Sequence, residues 1–328
     1  MKKRGMGIGC MWYGIGNTGL PNPAGATIDW LDDASVNLMV GCADIGQGSS
    51  TILAQIVAEE LGISSTDVTV ISADTLITPD GGATSASRQT YISGNAARLA
   101  AIDAKKIPLE EAGIMLKQDP ANLDFKAGVV WVNGQKAGIT VKDVLGSCRM
   151  KGKLTLGKGW FNPDTTGLDL QTGYGSPYAT YAFATQVIEV EVDTETGQVE
   201  VLKIIAAHDV GRAINPMLVE GQIEGGVSMG VGYALMEEVI TVRGQIINNN
   251  FSDYLIPTIL DIPEVTSIII EDAEPTGPFG AKGVGEPALI PTAAAIANAV
   301  YNAIGVRIYS LPITPEKVLH ALAERDAE

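Results

Sequence analysis

The stretch Gly280-Ala-Lys-Gly-Val-Gly-Glu-Pro-Ala-Leu-Ile-Pro291 limits what this chain can fold into more than any other. Three glycines in six residues permit dihedrals and close backbone approaches that side chains would block. Pro287 then suits the first turn of the apolar helix that follows, expected over residues 288–303. Glu286 is the only acid between Glu274 and Glu316, and the pattern places it at a loop-to-helix junction, facing a cavity. Taken alone, such a carboxylate satisfies exposed N–H groups and the helix dipole. Whether it does more depends on its company.

A chain of 328 residues has room for one large or two ordinary domains, and its 46% hydrophobic content is ample for buried cores. The net charge of −16 argues against a nucleic-acid partner, because neutralising phosphates requires clustered Lys and Arg. Cys10, Cys42 and Cys148 are widely separated. They offer no CxxC pair, no disulfide framework and no iron–sulfur ligand set, so a redox relay would lie in another chain. The Met1-Lys-Lys-Arg start resembles a signal n-region, but Gly5, Gly7, Gly9, Gly14 and Gly16 break up the apolar stretch behind it. No run approaches eighteen apolar residues, so a cytoplasmic chain with no membrane segment is expected.

Gly14-Ile-Gly-Asn-Thr-Gly19 is a literal GxGxxG, yet Leu20-Pro-Asn-Pro23 follows it and cannot open the helix that a dinucleotide fingerprint requires. Short runs of β-formers at 26–31 and 36–40, around a polar turn, read as a hairpin that delivers the chain to Gly41-Cys-Ala-Asp-Ile-Gly-Gln-Gly48. Ser49 or Ser50 can cap the helix that follows, which ends at Gly62. Gln47, between Gly46 and Gly48, is placed to offer amide donors to an anion or a metal-bound oxo group. After a strand at 68–72, the segment 78–95 is rich in small, hydroxyl and amide residues around a single arginine, Arg88, and leads into a helix reaching about Leu116. Its chemistry suits a pyrophosphate, with Arg88 making charge-assisted hydrogen bonds. Residues 122–134 read as a hairpin with an Asn-Gly turn, 141–145 as a helical turn, and 157–175 as a loop or linker.

The clearest hairpin joins 187–192 to 199–205. It ends at His208-Asp-Val-Gly-Arg-Ala-Ile-Asn-Pro216, followed by Gly221-Gln-Ile-Glu-Gly225 on a glycine-rich helix. One histidine without Cys or His neighbours is a poor metal site, so polar packing is expected of His208. Glycines 221, 225, 226, 230 and 232 each sacrifice about 1 kcal/mol of helix propensity relative to alanine, which points to close approach of a backbone or a ligand. A further hairpin around Arg243-Gly-Gln245, a strand at 267–270 and a last helix from Pro315, capped by Thr314, complete the chain.

In their order along the chain, the Gly-Gln-Gly loop at 46–48, the Ser85-Ala-Ser-Arg-Gln89 loop, Asp-x-Gly-x-x-x-Asn-Pro at 209–216, Gly-Gln-x-Glu-Gly at 221–225 and Gly-x-Gly-Glu-Pro at 283–287 resemble the molybdenum hydroxylases, the xanthine oxidase and aldehyde oxidoreductase family. The likeness is to the C-terminal part of the molybdopterin-binding polypeptide. It implies an α+β fold of two mixed α/β subdomains, residues 1–172 and 173–328, the second carrying the catalytic glutamate loop. It implies that Glu286 is the base beside the metal, that Gln47 approaches the metal, and that no side chain ligates molybdenum directly, since the pterin dithiolene holds it. By the same match Gly46, Gln47, Gly48, Ser85, Ala86, Ser87, Arg88, Gln89, Asn95, Gln222 and Gly285 border the cofactor, and Tyr13, Asn17 and Thr18 are candidate substrate-facing groups. The Ser-Arg-Gln form of the loop resembles bacterial members that use molybdopterin cytosine dinucleotide. The resemblance further implies hydroxylation of an electron-poor heteroaromatic carbon, with a second molybdopterin subunit, an iron–sulfur subunit carrying [2Fe–2S] clusters and an FAD subunit as partners. A related aldehyde, purine or other aromatic hydroxylase, a nicotinamide-dependent dehydrogenase and a noncatalytic assembly subunit remain as alternatives.

Overall fold

The computed structural model describes residues 1–18 and 21–327. The chain forms two compact units, neither continuous in sequence. One comprises Met1–Tyr13, Tyr181–Asp272 and Val284–Glu328; the other comprises Gly14–Thr180 and Ala273–Gly283. The expected cut at 172/173 falls just before the passage at 180/181. A single cut cannot describe the fold, because the first strand belongs with the later residues, and residues 273–283 with the earlier ones. The fold is α+β, as the motifs imply.

Strand β1 (Lys2–Gly14) alternates exposed and buried residues. In the unit built on Gly14–Thr180, β2 (Ala24–Trp30) and β3 (Val36–Val40) form the expected antiparallel hairpin. Helix α1 (Ser49–Leu61) crosses over to β4 (Val68–Ser72), which pairs parallel to β3. That crossover puts residues 41–48 between the carboxyl end of β3 and the N-terminus of α1, a place where α/β folds commonly bind ligands. Helix α2 (Gly94–Leu116) follows a π-helical turn at Gln89–Ser93. A three-stranded sheet, β5 (Leu123–Lys126), β6 (Val129–Val132) and β7 (Gln135–Thr140), replaces the expected hairpin, because turns at Ala127-Gly128 and Asn133-Gly134 both reverse the chain with positive φ. Helix α3 (Val141–Met150) begins with a capping box between Thr140 and Asp143.

The stretch expected to be loop from 157 begins instead as β8 (Leu156–Phe161), giving the sheet order β4-β3-β2-β8. Its glycines conceal it. A Cβ on Gly157 would lie 2.3 Å from the Ala100 carbonyl oxygen, and one on Gly159 2.1 Å from that of Ala96, so α2 rests directly on the strand. Alternation of large apolar residues, the usual mark of a strand, is unavailable where a helix backbone takes their place.

In the other unit, β9 (Tyr181–Asp193) and β10 (Val199–Asp209) pair antiparallel. Helix α4 (Pro216–Leu235), capped by Asn215, and the short hairpin β11 (Thr241–Val242) and β12 (Gln245–Ile246) lead to β13 (Val265–Ile270), parallel to β10. The sheet order is β1-β9-β10-β13. Helices α5 (Ile290–Ile304) and α6 (Pro315–Ala327) complete the unit. Ile188, Val190, Ile204, Ile223, Val227, Ile296 and Val300 lie in its core. Gly5, Gly7 and Gly9 of β1 are the seat of α5: a Cβ there would meet carbonyl oxygens of Ala299, Ala295 and Pro291 at 2.1–2.2 Å. By length and composition Glu286–Ile304 would pass for a membrane span, although half of it is buried inside this structure. Packing on β1 fixes the start of α5, and with it the turn that carries Glu286.

Candidate functional site

The Gly46–Gly48 loop is shaped by its acid. Gly46 and Gly48 both take positive φ, 107° and 83°. Asp44 reaches over the start of α1: its Oδ1 accepts from the N–H groups of Gly46 (3.0 Å) and Gly48 (3.3 Å), and its Oδ2 from Ser50 (3.0 Å). The cap is therefore Asp44, and neither expected serine, because the N-cap position is the side-chain-free Gly48. Partial burial alone would raise the Asp44 carboxyl, but the backbone donations from Ser50, Gly46 and Gly48 outweigh it and hold it below its ordinary range. Gln47 is folded into its own loop, accepting from Ile45 N–H at 2.7 Å and donating from Nε2 to Ala43 O at 3.3 Å and Ser49 Oγ at 2.9 Å. Its amide donors, expected to be offered outward, are engaged here. To reach an external oxygen the side chain must first leave Ala43 and Ser49. A Cβ on Gly46 would meet nothing within 4 Å, so the crest of the loop is open.

Four of the candidate residues in the 85–95 segment turn inward. Arg88 is 1% exposed. Its Nε donates to Asn22 Oδ1 (2.6 Å), one terminal nitrogen to Gly81 O (2.5 Å) and Ala83 O (3.1 Å), and the other to Asn22 O (3.1 Å) and Pro23 O (2.8 Å). All five guanidinium hydrogens are thus committed, and the expected Arg88–phosphate contact has no donor left to make it. Gln89 donates to Ala83 O and Thr84 Oγ1 and accepts from Ser93 Oγ. Asn95 donates to the carbonyls of Tyr91 and Thr276, both at 2.9 Å. Ser85 donates to Asn17 Oδ1 at 3.2 Å. Thr84, bonded to Ala43 O at 2.7 Å, joins this segment to the Gln47 loop in one network.

At the crest of the segment Ala86 and Ser87 both sit at φ 53°. Left-handed backbone at two consecutive non-glycine residues costs energy that the surroundings must supply, and such strain clusters at functional sites. Gly16 N–H donates to Ala86 O at 3.0 Å. A Cβ on Gly283 would come within 1.7 Å of Ser87 O, so only glycine fits there. Thr18 is exposed and bonded to the Tyr178 hydroxyl, and Tyr13, near the end of β1, is half-buried. Among the described residues no helix lies between Gly14 and β2, which begins at Ala24, and this removes the dinucleotide reading of this GxGxxG. Its Gly19, with Leu20, lies outside the described residues.

In the other unit Glu286 heads a one-turn 3₁₀ helix, Glu286–Ala288, next to Gly285. Pro287 and Ala288 are buried, whereas Glu286 is exposed. Gln222 is half-buried on α4. The α4 glycines divide by what they meet: Gly226 abuts Ala288 and Gly230 abuts Thr292, whereas Gly221 and Gly225 have nothing within 4 Å of a built Cβ. The first pair is explained by packing, and the second is open surface beside Gln222.

A buried polar group lies under the Glu286 turn, and sequence reasoning singled out only its His208, not Gln186 or Thr292. Gln186 and Thr292 are 0% exposed and His208 1%. The Gln186 amide donates to Ala288 O at 2.8 Å and lies 3.3 Å from His208 Nε2, while its Oε1 accepts from Thr292 Oγ1 at 2.7 Å. Burial pushes the His208 imidazole down to about 4, so it is neutral and accepts at Nε2. Its Nδ1 is buried with no partner. Polar packing is therefore the role of His208. Extending the β9 alternation upstream from Val187 would have placed Gln186 on the inward face.

Among the described residues no cluster of three or more His, Cys, Asp or Glu is arranged to ligate a metal ion. The family model of the molybdopterin cofactor-binding domain matches residues 1–263, and the chain belongs to that family. Over 324 residues it is 36% identical to the putative xanthine dehydrogenase molybdenum-binding subunit XdhA of Escherichia coli K12, an alignment covering 96% of this chain and 42% of the relative. It is 35% identical to the 6-hydroxypseudooxynicotine dehydrogenase complex subunit gamma of Paenarthrobacter nicotinovorans, over 97% of this chain and 39% of that one. Among solved structures, quinoline 2-oxidoreductase from Pseudomonas putida 86 superposes with a TM-score of 0.89 at 29% identity, covering 98% of this chain and 42% of that one. The chain thus spans less than half the length of these relatives.

Proposed function

We propose that this chain is a molybdopterin-binding subunit of a multi-chain molybdenum hydroxylase. In this reading the enzyme hydroxylates an electron-poor N-heteroaromatic carbon with oxygen from water, and the particular reaction is nicotinate to 6-hydroxynicotinate with NADP⁺ as acceptor. The chain then resembles the medium molybdopterin subunit of nicotinate dehydrogenase. The heteroaromatic class is supported by two relatives, one named for quinoline and one for 6-hydroxypseudooxynicotine. A purine hydroxylase is the second reading, favoured by the likeness to a xanthine dehydrogenase subunit.

The residues present fit a pterin nucleotide through backbone and small groups. Gly46 leaves open space where a side chain would intrude, and the strained Ala86-Ser87 crest is held in place from beneath. Ser85 and Ser87 would hold the group, while Arg88, Gln89 and Asn95 brace the loop that presents it. When bound, the cofactor, read as molybdopterin cytosine dinucleotide, supplies a two-electron acceptor and a Lewis acid that activates water. Iron–sulfur and FAD subunits, with a second molybdopterin subunit, would complete the enzyme.

The observation that carries the proposal is an exposed carboxylate on a rigid mount. Glu286 leads a turn whose following residues are buried, and a base so fixed can accept a proton at a carboxylate oxygen as water oxygen moves to the ring carbon. Replacing Glu286 by Gln keeps size and hydrogen bonding but removes basicity. In the assembled complex, Glu286→Gln should retain molybdenum while substrate-driven cluster reduction, followed by stopped flow, slows by about 10²–10⁴-fold. A rate within a few-fold of wild type would make Glu286 a helix-start carboxylate and nothing more.

A further inference from the structure

We infer that Gln186 is the positioning residue for the Glu286 turn, an inference that rests on Glu286 being the proposed base. Three observations converge on it. The backbone of the turn Glu286–Ala288 is closed by the donation of Leu289 N–H to Glu286 O at 3.0 Å and a long one from Ala288 N–H to Gly285 O at 3.4 Å. Such a single turn has little stability of its own. The Gln186 amide holds the carbonyl of Ala288, two residues beyond Glu286, and its oxygen holds the Thr292 hydroxyl at the start of α5. One rigid side chain on β9 thus ties the end of the turn and the first turn of the helix to the sheet.

The opposite side is also built for this purpose. Gly226 and Gly230, one helical turn apart on α4, would collide with Ala288 and Thr292 at 2.5 and 2.4 Å if they carried a Cβ. Those are the same two residues that Gln186 grips. The segment is therefore pressed by α4 from one side and held by hydrogen bonds from the other. The Ala288 carbonyl can only accept, which fixes the amide orientation: nitrogen toward Ala288 and His208, oxygen toward Thr292. An apolar side chain at position 186 would fill the core as well, but it would leave the Ala288 carbonyl without its donor. The polar residue makes sense as a positional lock on the turn.

The test uses the assembled complex. Gln186→Met preserves volume and removes the amide; kcat should fall about 10–100-fold with KM nearly unchanged, as expected when a group that orients a catalytic residue is lost. Thr292→Val should lower kcat in the same direction, and Thr292→Ser should restore it. Val190→Ala, a cavity mutation elsewhere on β9, should lower Tm and leave kcat unchanged. Because Gln186 acts through Glu286, the Glu286→Gln/Gln186→Met double variant should be no slower than Glu286→Gln alone. Independently of turnover, backbone hydrogen exchange over residues 285–292 should quicken in Gln186→Met and not in Val190→Ala. Should Gln186→Met fail to assemble, the Thr292 pair and its exchange rates decide. Wild-type kcat in Gln186→Met or Thr292→Val, or a further tenfold loss in the double variant, would overturn the inference while the catalytic reading stands. A wild-type rate in Glu286→Gln would overturn both.

Discussion

Arg88 illustrates how a residue type can be legible when its role is not. A lone arginine amid hydroxyls and amides reads as a phosphate ligand, yet its five hydrogens go to neutral oxygens contributed by residues 22–23 and 81–83. Those oxygens substitute for the hydration shell that a buried cation would otherwise lose. Burial lowers the guanidinium below its ordinary value, and the field of Asp80 acts against that shift. Nothing in the sequence places two distant loops around one side chain, so this arrangement was not readable from residue order. Arg88→Lys keeps the charge but supplies at most three donors, stranding at least two acceptors at about 1–3 kcal/mol each, so the complex should lose about 2–6 kcal/mol of stability. Thermal or denaturant unfolding checks this, and unchanged stability with selective loss of cofactor would return Arg88 to the role of a direct ligand.

At the scale of elements, periodicity revealed what solvent divides into two faces. The β9–β10 hairpin, the β2–β3 hairpin, α1 with its Gly62 cap and the α5 helix follow patterns visible along the chain. Strand β8 and the mounting of α5 on β1 were hidden for the same reason: glycines admit a helix backbone where a pattern-reader looks for apolar side chains. A helical turn at 141–145 was readable, but the capping box of α3 and its anchor were not. Glu111 of α2 is completely buried, paired with Lys151 at 2.5 Å and Lys153 at 2.6 Å just beyond α3, and bonded to Ser147 at 2.6 Å. Burial would raise its carboxyl, but the Lys151, Lys153 and Ser147 bonds outweigh that and bring it from 4.5 down to about 2. A carboxyl lowered in the folded state stabilises fully above its unfolded pKa, and that stability is lost as pH falls through the folded one. Between about 4.5 and about 2 the ionised Glu111 should therefore contribute progressively less. Glu111→Gln should cost about 1–3 kcal/mol near neutral pH and flatten that part of the acid-unfolding profile, measured by circular dichroism.

At the scale of the whole molecule, the proposed enzyme needs groups beyond those this chain supplies. Its cysteines are separate, Cys42 being buried with its thiol pushed up to about 11 by burial, so no electron carrier is built from them. Met6, Ile8 and Trp12 of β1 and Phe183 of β9 are each more than half exposed. Apolar side chains exposed together on a sheet face are a feature of interaction surfaces. More than half of each compared relative lies in sequence this chain does not span. Metal retention that depends on groups outside the chain should therefore be lost when the chain is alone. Purified by itself, the chain should hold little molybdenum and show no hydroxylase turnover, whereas the assembled complex should hold the metal and release CMP on acid hydrolysis. Elemental analysis and nucleotide chromatography on both preparations read these outcomes separately. Robust turnover by the isolated chain would contradict the need for partners. Pterin without CMP in the active complex would remove the dinucleotide assignment and leave the family intact, because the braced 85–95 loop would then present its backbone and serines to a shorter cofactor.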